Sequence, residues 1–251
     1  MDDLERRLKR AKSHLNNLDV EVKKFLGNNA YSTDRGRDLS GGGYVLQITR
    51  HKAIPPRFGL IAADFIHNLR ALLDNLIWAA VPSAVRDSSK LTFPTCSNRQ
   101  SFDKFAERVL GDHTAKRLIE TLERHQPYNR RPEDIANDRL ILLHKMWNAD
   151  KHHAPLGVLG WAIAASSAGR GDVVLLRPPF GFRVGPLGKN GEVGWVTADG
   201  AKHYTHPRVH LDIGFQTRRP TLTVPRHAFV KMYEIVAKEV LPDIRPYLKR
   251  R

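Results

Sequence analysis

The chain has 251 residues, of which 41% are hydrophobic, so it can bury a sizeable core and is not expected to be disordered. Its formal charge of +15 creates a field that attracts polyanions, and nucleic acid is the polyanion we expect, although the excess charge could serve solubility alone. Cys96 is the only cysteine, which excludes an intramolecular disulfide or a cysteine-cluster zinc site and favours a reducing cytoplasm. The charged N-terminus is unlike a signal peptide, and no apolar run reaches the roughly 18 residues of a membrane span, so we expect a cytoplasmic protein without a membrane partner.

Apolar residues at alternating spacings of four and three predict a long amphipathic helix at the start of the chain, ending before Gly27. Its seam consists of Leu4, Leu8, Ala11, Leu15, Leu18, Val22 and Phe25. Such a heptad seam packs either within the fold or against a second copy, so a homo-oligomer remains open. Residues 32–43 are predicted to be a charged, glycine-rich loop, and residues 44–50 a short strand.

The strongest predicted helix covers residues 58–81, and we predict a loop over residues 83–100. Shorter helices are predicted for residues 101–109 and 114–125. A further helix is expected over residues 132–147, and its periodicity can be continued through the next residue.

After Pro155 the sequence changes to short β-branched runs separated by glycine and proline, which predicts an antiparallel sheet. The runs cover residues 173–177, 180–184, 192–197, 208–215 and 221–224. A last helix is predicted from Arg226. We therefore predict an α+β protein, in which a helical bundle (residues 1–154) precedes a small antiparallel sheet and a C-terminal helix that packs back on the bundle (155–251).

Polar residues share one side of the helix predicted over residues 58–81, opposite its leucines, isoleucines and phenylalanines. They are Asp64, His67, Asn68, Arg70, Asp74 and Asn75. This side could simply face water. However, the helix contains no Lys, Glu or Gln, and Trp78 lies on the same side, which indicates that another part of the protein covers it.

When the helix predicted over residues 132–147 is continued, it places Asp150 among Leu143, Met146 and Trp147. An unpartnered polar group in such surroundings costs roughly 1–3 kcal/mol. We expect Arg70 or His67 to donate a charge-assisted hydrogen bond to Asp150, so that two distant stretches form one site. Alternatively, Asn148 and Asp150 cap the end of this helix, as Asx residues often do.

Four motifs follow one another in the middle of the chain. They are DFIHNLRALLD at residues 64–74, FP at 93–94, QPY at 126–128 and NADKH at 148–152. Over residues 55–155 this order resembles an uncharacterised bacterial family of the actinomycete type, and the resemblance supports the choice of residues without implying an activity. The chain departs from the family pattern at Asn75, where the family usually shows His, and at His153, where it usually shows Arg.

A more distant similarity is to the HEPN superfamily, helical bundles in which an Arg and a His a few residues apart act on a phosphate. The similarity implies a metal-independent ribonuclease without a cofactor. His67 or His152 would be the general base, and Arg70 and Lys151 would hold the phosphate. The full candidate catalytic set is His67, Arg70, Asn148, Asp150, Lys151 and His152.

Two alternatives remain open. The first is a metal site built from the carboxylates and imidazoles Asp64, His67, Asp74, Asp150 and His152. The second is a purely structural network in a non-enzymatic protein that binds RNA, DNA or another partner. For binding a nucleic-acid backbone, the sequence favours the basic C-terminal residues Arg218, Arg219, Lys249, Arg250 and Arg251.

Overall fold

A computed structural model describes residues 2–152, 154–167, 180–188, 190–196, 207–219 and 221–248. It combines helices with antiparallel strands, which confirms the predicted mixture of the two. The helices are α1 (Asp2–Leu26), α2 (Arg57–Ala80), α3 (Ser83–Arg86), α4 (Arg99–Phe105), α5 (Lys116–Arg124), α6 (Pro132–Ile135), α7 (Arg139–His152), α8 (His227–Ile235) and α9 (Leu241–Ile244). None of these described helices has a stretch apolar and long enough to cross a membrane.

The strands form two four-stranded antiparallel sheets, ordered β1-β2-β6-β4 and β5-β3-β7-β8. They are β1 (Tyr31–Asp38), β2 (Tyr44–Arg50), β3 (Gly157–Ser167), β4 (Phe180–Phe182), β5 (Gly185–Pro186), β6 (Glu192–Val196), β7 (Pro207–Thr217) and β8 (Leu222–Pro225). The first sheet pairs β2 with β6, so it joins strands from both sides of the predicted boundary at residue 154.

Three strands were not expected from the sequence, namely β1, β3 and the two-residue β5. β1 covers the first part of the predicted loop 32–43. It is an edge strand, in which only one side of the backbone is paired, so its polar side chains can stay partly exposed. β3 was not expected because glycines interrupt its apolar run. One of them is Gly160, where an added Cβ would lie 2.6 Å from a Leu187 methyl carbon, so the close packing of Leu187 favours glycine at this position. The predicted run 173–177 lies outside the described residues.

The helix predicted over residues 132–147 is divided into α6 and α7. Asp138 lies at the break, and its Oδ1 accepts hydrogen bonds from the backbone N–H of Leu140 at 2.8 Å and of Ile141 at 3.3 Å. These bonds satisfy N–H groups that have no partner within a new helix, so α7 begins after Asp138 and extends past residue 147.

The main hydrophobic core lies between the helices and one face of the second sheet. At its centre, Phe229 of α8 stacks on Phe65 of α2 at 5.4 Å and on Phe215 of β7 at 4.9 Å between ring centroids. Most of the heptad seam of α1 is buried in this same core, so the seam packs within the fold. A smaller core lies between the two sheets and consists of Tyr44, Leu46, Ile48, Ala162, Val193 and Val196.

Candidate functional site

The polar side of α2 lies between α1 and α7. Helices α1 and α2 are antiparallel neighbours, since Phe25 near the end of α1 meets Phe58 near the start of α2 with 5.7 Å between ring centroids. Further along α2, the Asp64 carboxylate interacts electrostatically with His14 of α1 and with Asp150 of α7. The two stretches singled out in the sequence therefore meet along α2.

Arg70 is enclosed in a network of hydrogen bonds, with only 2% of its surface exposed. Its Nη2 lies 2.8 Å from Asp74 Oδ1 and donates to the Phe93 carbonyl at 2.8 Å, while its Nη1 donates to Thr95 Oγ1 at 3.3 Å. The Asp74 carboxylate in turn accepts the Phe93 N–H at 2.8 Å. The guanidinium also lies 5.5 Å from the ring centroid of Trp147, so Arg70 joins α2, the segment at residues 93–95 and α7.

The predicted hydrogen bond between Arg70 and Asp150 is therefore wrong. Asp74 neutralises the arginine instead, because it lies one turn further along the same helix, where side chains four residues apart are neighbours. The enclosed guanidinium cannot contact a phosphate without breaking this network, so we assign Arg70 a structural role and withdraw its predicted catalytic one. Arginine and aspartate four residues apart were the sequence signal that would have identified this pair.

The prediction that another part of the protein covers the polar side of α2 holds at Arg70 and fails at Trp78. The Trp78 side chain is 43% exposed, and the guanidinium of Arg86 lies 4.5 Å from the centroid of its ring. His67 and Asp64 are also exposed. The polar side of α2 is thus open at Asp64 and His67, enclosed at Arg70 and open again at Trp78.

On that open surface, Asp150 lies within electrostatic reach of His67 and Asp64. Asp150 is half-buried near the end of α7, and burial raises the pKa of its carboxyl above the ordinary value. The nearby His67 opposes this rise in pKa, and the Asp64 charge adds to it. Of the two donors expected for Asp150, His67 acts on it through its charge alone, because the described residues show no hydrogen bond between the two side chains.

Replacing Asp150 by Asn is expected to stabilise the protein at about pH 7. In the unfolded chain the carboxyl titrates near its ordinary value of about 4, whereas in the folded chain its pKa is raised. The folded state therefore binds more protons between these two values, and stability is lost as the pH rises through that window. Thermal unfolding should show a higher Tm for Asp150→Asn at neutral pH and a difference that shrinks below about pH 4.

The matched control is Asp112→Asn, which removes the same charge from an exposed carboxylate. A stabilisation by Asp112→Asn equal to that by Asp150→Asn would mean that the change in net charge, and not the burial of Asp150, is the cause.

The other predicted residues of α7 lie around Trp147 and the end of the helix. The Asn148 amide nitrogen lies 3.0 Å from His144 Nε2, and burial lowers the pKa of His144. The Lys151 ammonium lies 4.8 Å from the centroid of the Trp147 ring. His152 is exposed at the end of α7. Asn148 therefore hydrogen-bonds to His144 and has no hydrogen bond with His67 or Asp150 among the described residues.

A basic groove between α1 and α2 was not predicted from the sequence, which favoured only the basic C-terminal residues for binding a nucleic-acid backbone. The groove has a volume of about 440 Å³ and is lined by Asp3, Arg6, Arg7, Arg10, Asn68 and Asn75. Arg10 follows Arg6 by four residues and Arg7 by three, which places it beside both on one side of α1, and this spacing was the available signal.

Two of the three arginines that line this groove interact with neighbouring side chains of α1. Arg6 forms an ion pair of 2.7 Å with Asp3, and the Arg10 Nε–H donates to His14 Nε2 at 3.1 Å. Burial lowers the pKa of His14, the Asp64 charge opposes this, and Arg10 lowers it further, so the ring is neutral and can accept this hydrogen bond near neutral pH. Within the described part of the chain, the side chains of Arg7 and Asn75 form no hydrogen bond or ion pair.

The basic residues predicted from the C-terminal sequence are only partly described. Arg218 and Arg219 are exposed in the turn between β7 and β8. Lys249, Arg250 and Arg251 lie outside the described residues, as does His153. The described residues also contain no group of three or more His, Cys, Asp or Glu side chains that could hold a metal ion, and Asp74 is already paired with Arg70.

No family model, no curated protein and no solved structure matches this chain. The resemblance to the actinomycete-type family therefore stays a prediction.

Proposed function

We propose that this protein binds nucleic acid by holding the phosphate backbone in the groove between α1 and α2. The observation that carries the proposal is the convergence of Arg6, Arg7 and Arg10 with two side-chain amides from α2. Guanidinium groups are the donors best matched to phosphate oxygens, because their planar fork offers two parallel N–H groups. Amide side chains also donate to phosphate and sugar oxygens.

The groove retains donors that the fold does not use. Arg7 and Asn75 have no side-chain partner among the described residues, and they face the same groove from opposite helices. A guanidinium carries five N–H donors, so Arg10 keeps donors after its bond to His14. Asn68 supports its own helix, because its amide donates to the Asp64 carbonyl at 2.8 Å. We therefore assign the phosphate contacts to Arg7, Arg10 and Asn75.

The net charge of +15 supports this function in a second way. A strongly positive protein raises the local concentration of a polyanion and speeds encounter at low salt. Encounter by net charge alone does not select a surface, whereas a row of arginines beside neutral amides does. The exposed turn with Arg218 and Arg219 is the alternative backbone-binding surface.

The test compares two double variants that lose the same charge. We expect Arg7→Ala with Arg10→Ala to weaken binding of a labelled single-stranded RNA of mixed sequence at least about tenfold at near-physiological salt. The slope of log affinity against log salt should become shallower by about one to two, because a protein with fewer phosphate contacts releases fewer counterions when it binds. Fluorescence anisotropy over a salt series measures both quantities.

Arg218→Ala with Arg219→Ala is the matched control, because it removes the same charge from two arginines that are exposed elsewhere on the surface. We expect it to lower affinity less and to leave most of the salt slope unchanged. Equal losses in the two double variants would assign binding to net charge, and a larger loss in the control would move the binding surface to the turn between β7 and β8.

We also propose, as a second candidate, that the surface beside the groove cleaves RNA without a metal. His67 is exposed on the same helix that lines the groove and lies within electrostatic reach of Asp150. In this role His67 would take the 2′-hydroxyl proton while the 2′-oxygen attacks the phosphorus and the bond from phosphorus to the 5′-oxygen breaks. The leaving 5′-oxygen would take a proton from water, and Asp150 would stabilise the imidazolium that forms on His67. The phosphate would be held from the groove, because Arg70 is committed to the structural network. The non-enzymatic alternative is binding in the groove without any chemistry at His67.

A further inference from the structure

A second cavity lies where the two hydrophobic cores meet. It has a volume of about 570 Å³ and is bounded by β1, β2, β3 and the segment that follows β5. Ile54 and Val158, on one side, pack against the main core, while Tyr31 and Leu187, on the other, pack against the core between the sheets. Cavities of this size at the junction of two packed units are the usual sites for small molecules.

The Tyr31 hydroxyl is a buried polar group that has no hydrogen-bond partner in the part of the chain that the structure describes. Its ring is fixed edge-to-face against Phe25, with 6.1 Å between centroids. A Cβ added at Gly160 would lie 3.0 Å from the hydroxyl oxygen and 2.6 Å from the Leu187 Cδ1, so glycine at this position allows both side chains to approach the backbone. Buried hydroxyls normally have a partner, and one without a partner needs an explanation.

Arg50 lies directly opposite Tyr31 in the pairing of β1 with β2, and both residues line the cavity. Burial raises the pKa of Tyr31, and the nearby Arg50 charge opposes the rise. Arg50 is exposed at the edge of the cavity, and its side chain makes no ion pair or hydrogen bond with the residues that the structure describes. By contrast, the Gln47 amide is already used, since it donates to the Asn190 carbonyl at 2.9 Å. Among the residues that the structure describes, the Tyr31 hydroxyl and the Arg50 guanidinium are therefore two donors available to a ligand.

We propose that this cavity binds a small organic anion with an apolar body. Its anionic group accepts hydrogen bonds from the Tyr31 hydroxyl and from Arg50, and its body packs on Ile54, Val158 and Leu187. The hydroxyl is buried in the free protein, so the ligand reaches it only if a neighbouring side chain such as Leu187 moves aside. This site is separate from the α1–α2 groove in residues and in ligand, so its failure would leave the nucleic-acid proposal untouched.

The experiment uses the fluorescent probe anilinonaphthalenesulfonate, which combines an aromatic body with a sulfonate. We expect Arg50→Ala to weaken probe binding about tenfold, as for the loss of a charge-assisted hydrogen bond. Tyr31→Phe should weaken binding roughly three- to tenfold. Because Tyr31→Phe keeps the ring and removes only an unpaired hydroxyl, the Tm of the free variant should not fall below that of the wild type.

Lys52→Ala is the matched control, since Lys52 is an exposed cation two residues along the chain from Arg50 and does not line the cavity. The proposal predicts unchanged probe affinity in this control. It is overturned if the wild-type protein does not bind the probe, if neither cavity variant weakens binding, or if Lys52→Ala weakens binding as much as Arg50→Ala does.

Discussion

Replacing Arg70 by Ala is expected to lower the free energy of unfolding by about 3 kcal/mol. This is the lower end of the roughly 3–5 kcal/mol lost when one partner of a buried ion pair is removed. The change removes the donors that reach Asp74, Phe93 and Thr95, and leaves the Asp74 carboxylate, 23% exposed, without its cation. It also empties a volume that now contacts Trp147. Denaturant unfolding monitored by circular dichroism measures this loss.

Two comparisons separate the structural role of Arg70 from a role in binding. Arg70→Lys should recover only part of the stability, because a single ammonium cannot reproduce the planar fork. Arg7→Ala, on the exposed groove, should change stability by less than about 0.5 kcal/mol. Well below its Tm, Arg70→Ala should keep the wild-type affinity for RNA. A stable Arg70→Ala protein that no longer binds RNA would contradict the structural assignment.

Replacing His67 by Ala is expected to lower metal-independent RNA cleavage roughly 100-fold or more, the contribution typical of a general base. This follows from the second candidate function, in which the exposed imidazole beside Asp150 accepts the proton of the attacking hydroxyl. The measurement is the rate of cleavage of a labelled RNA in the presence of EDTA, with the protein in excess.

His152→Ala is the control, because His152 is the other histidine that the sequence offers as a base and it lies exposed at the end of α7. Its cleavage rate should equal that of the wild type. Loss of activity in His152→Ala but not in His67→Ala would reverse the assignment. If the wild-type protein does not cleave RNA in EDTA, the ribonuclease proposal is wrong, and the binding proposal remains to be judged on its own test.

The long helices could be predicted because their apolar residues repeat with the helical period. The seam of α1 and the apolar side of α2 are both buried where the periodicity places them. Strand β1 could not be predicted in this way, because an edge strand with polar side chains carries no alternation of apolar residues. The pairing of β2 with β6, across about 145 residues, is a tertiary contact that local patterns do not encode.

The candidate site was predicted in part. The sequence correctly brings α2 and α7 together, but a helical wheel cannot show which element covers a given side chain. It placed Arg70 among the polar residues, whereas the Phe93 segment and Trp147 enclose it and Asp74 neutralises it. The groove was missed for a related reason, since its arginines lie on α1 and its amides on α2, and only the antiparallel packing of these helices brings them together.

The most direct test of the central claim is to map where RNA contacts the protein by ultraviolet crosslinking followed by mass spectrometry of the peptides. If the groove between α1 and α2 holds the phosphate backbone, crosslinked nucleotides will be found on peptides that contain Arg6, Arg7 and Arg10 of α1 and on those that contain Asn75 of α2. Crosslinks confined to the turn at Arg218 and Arg219, with none on α1, would contradict the claim.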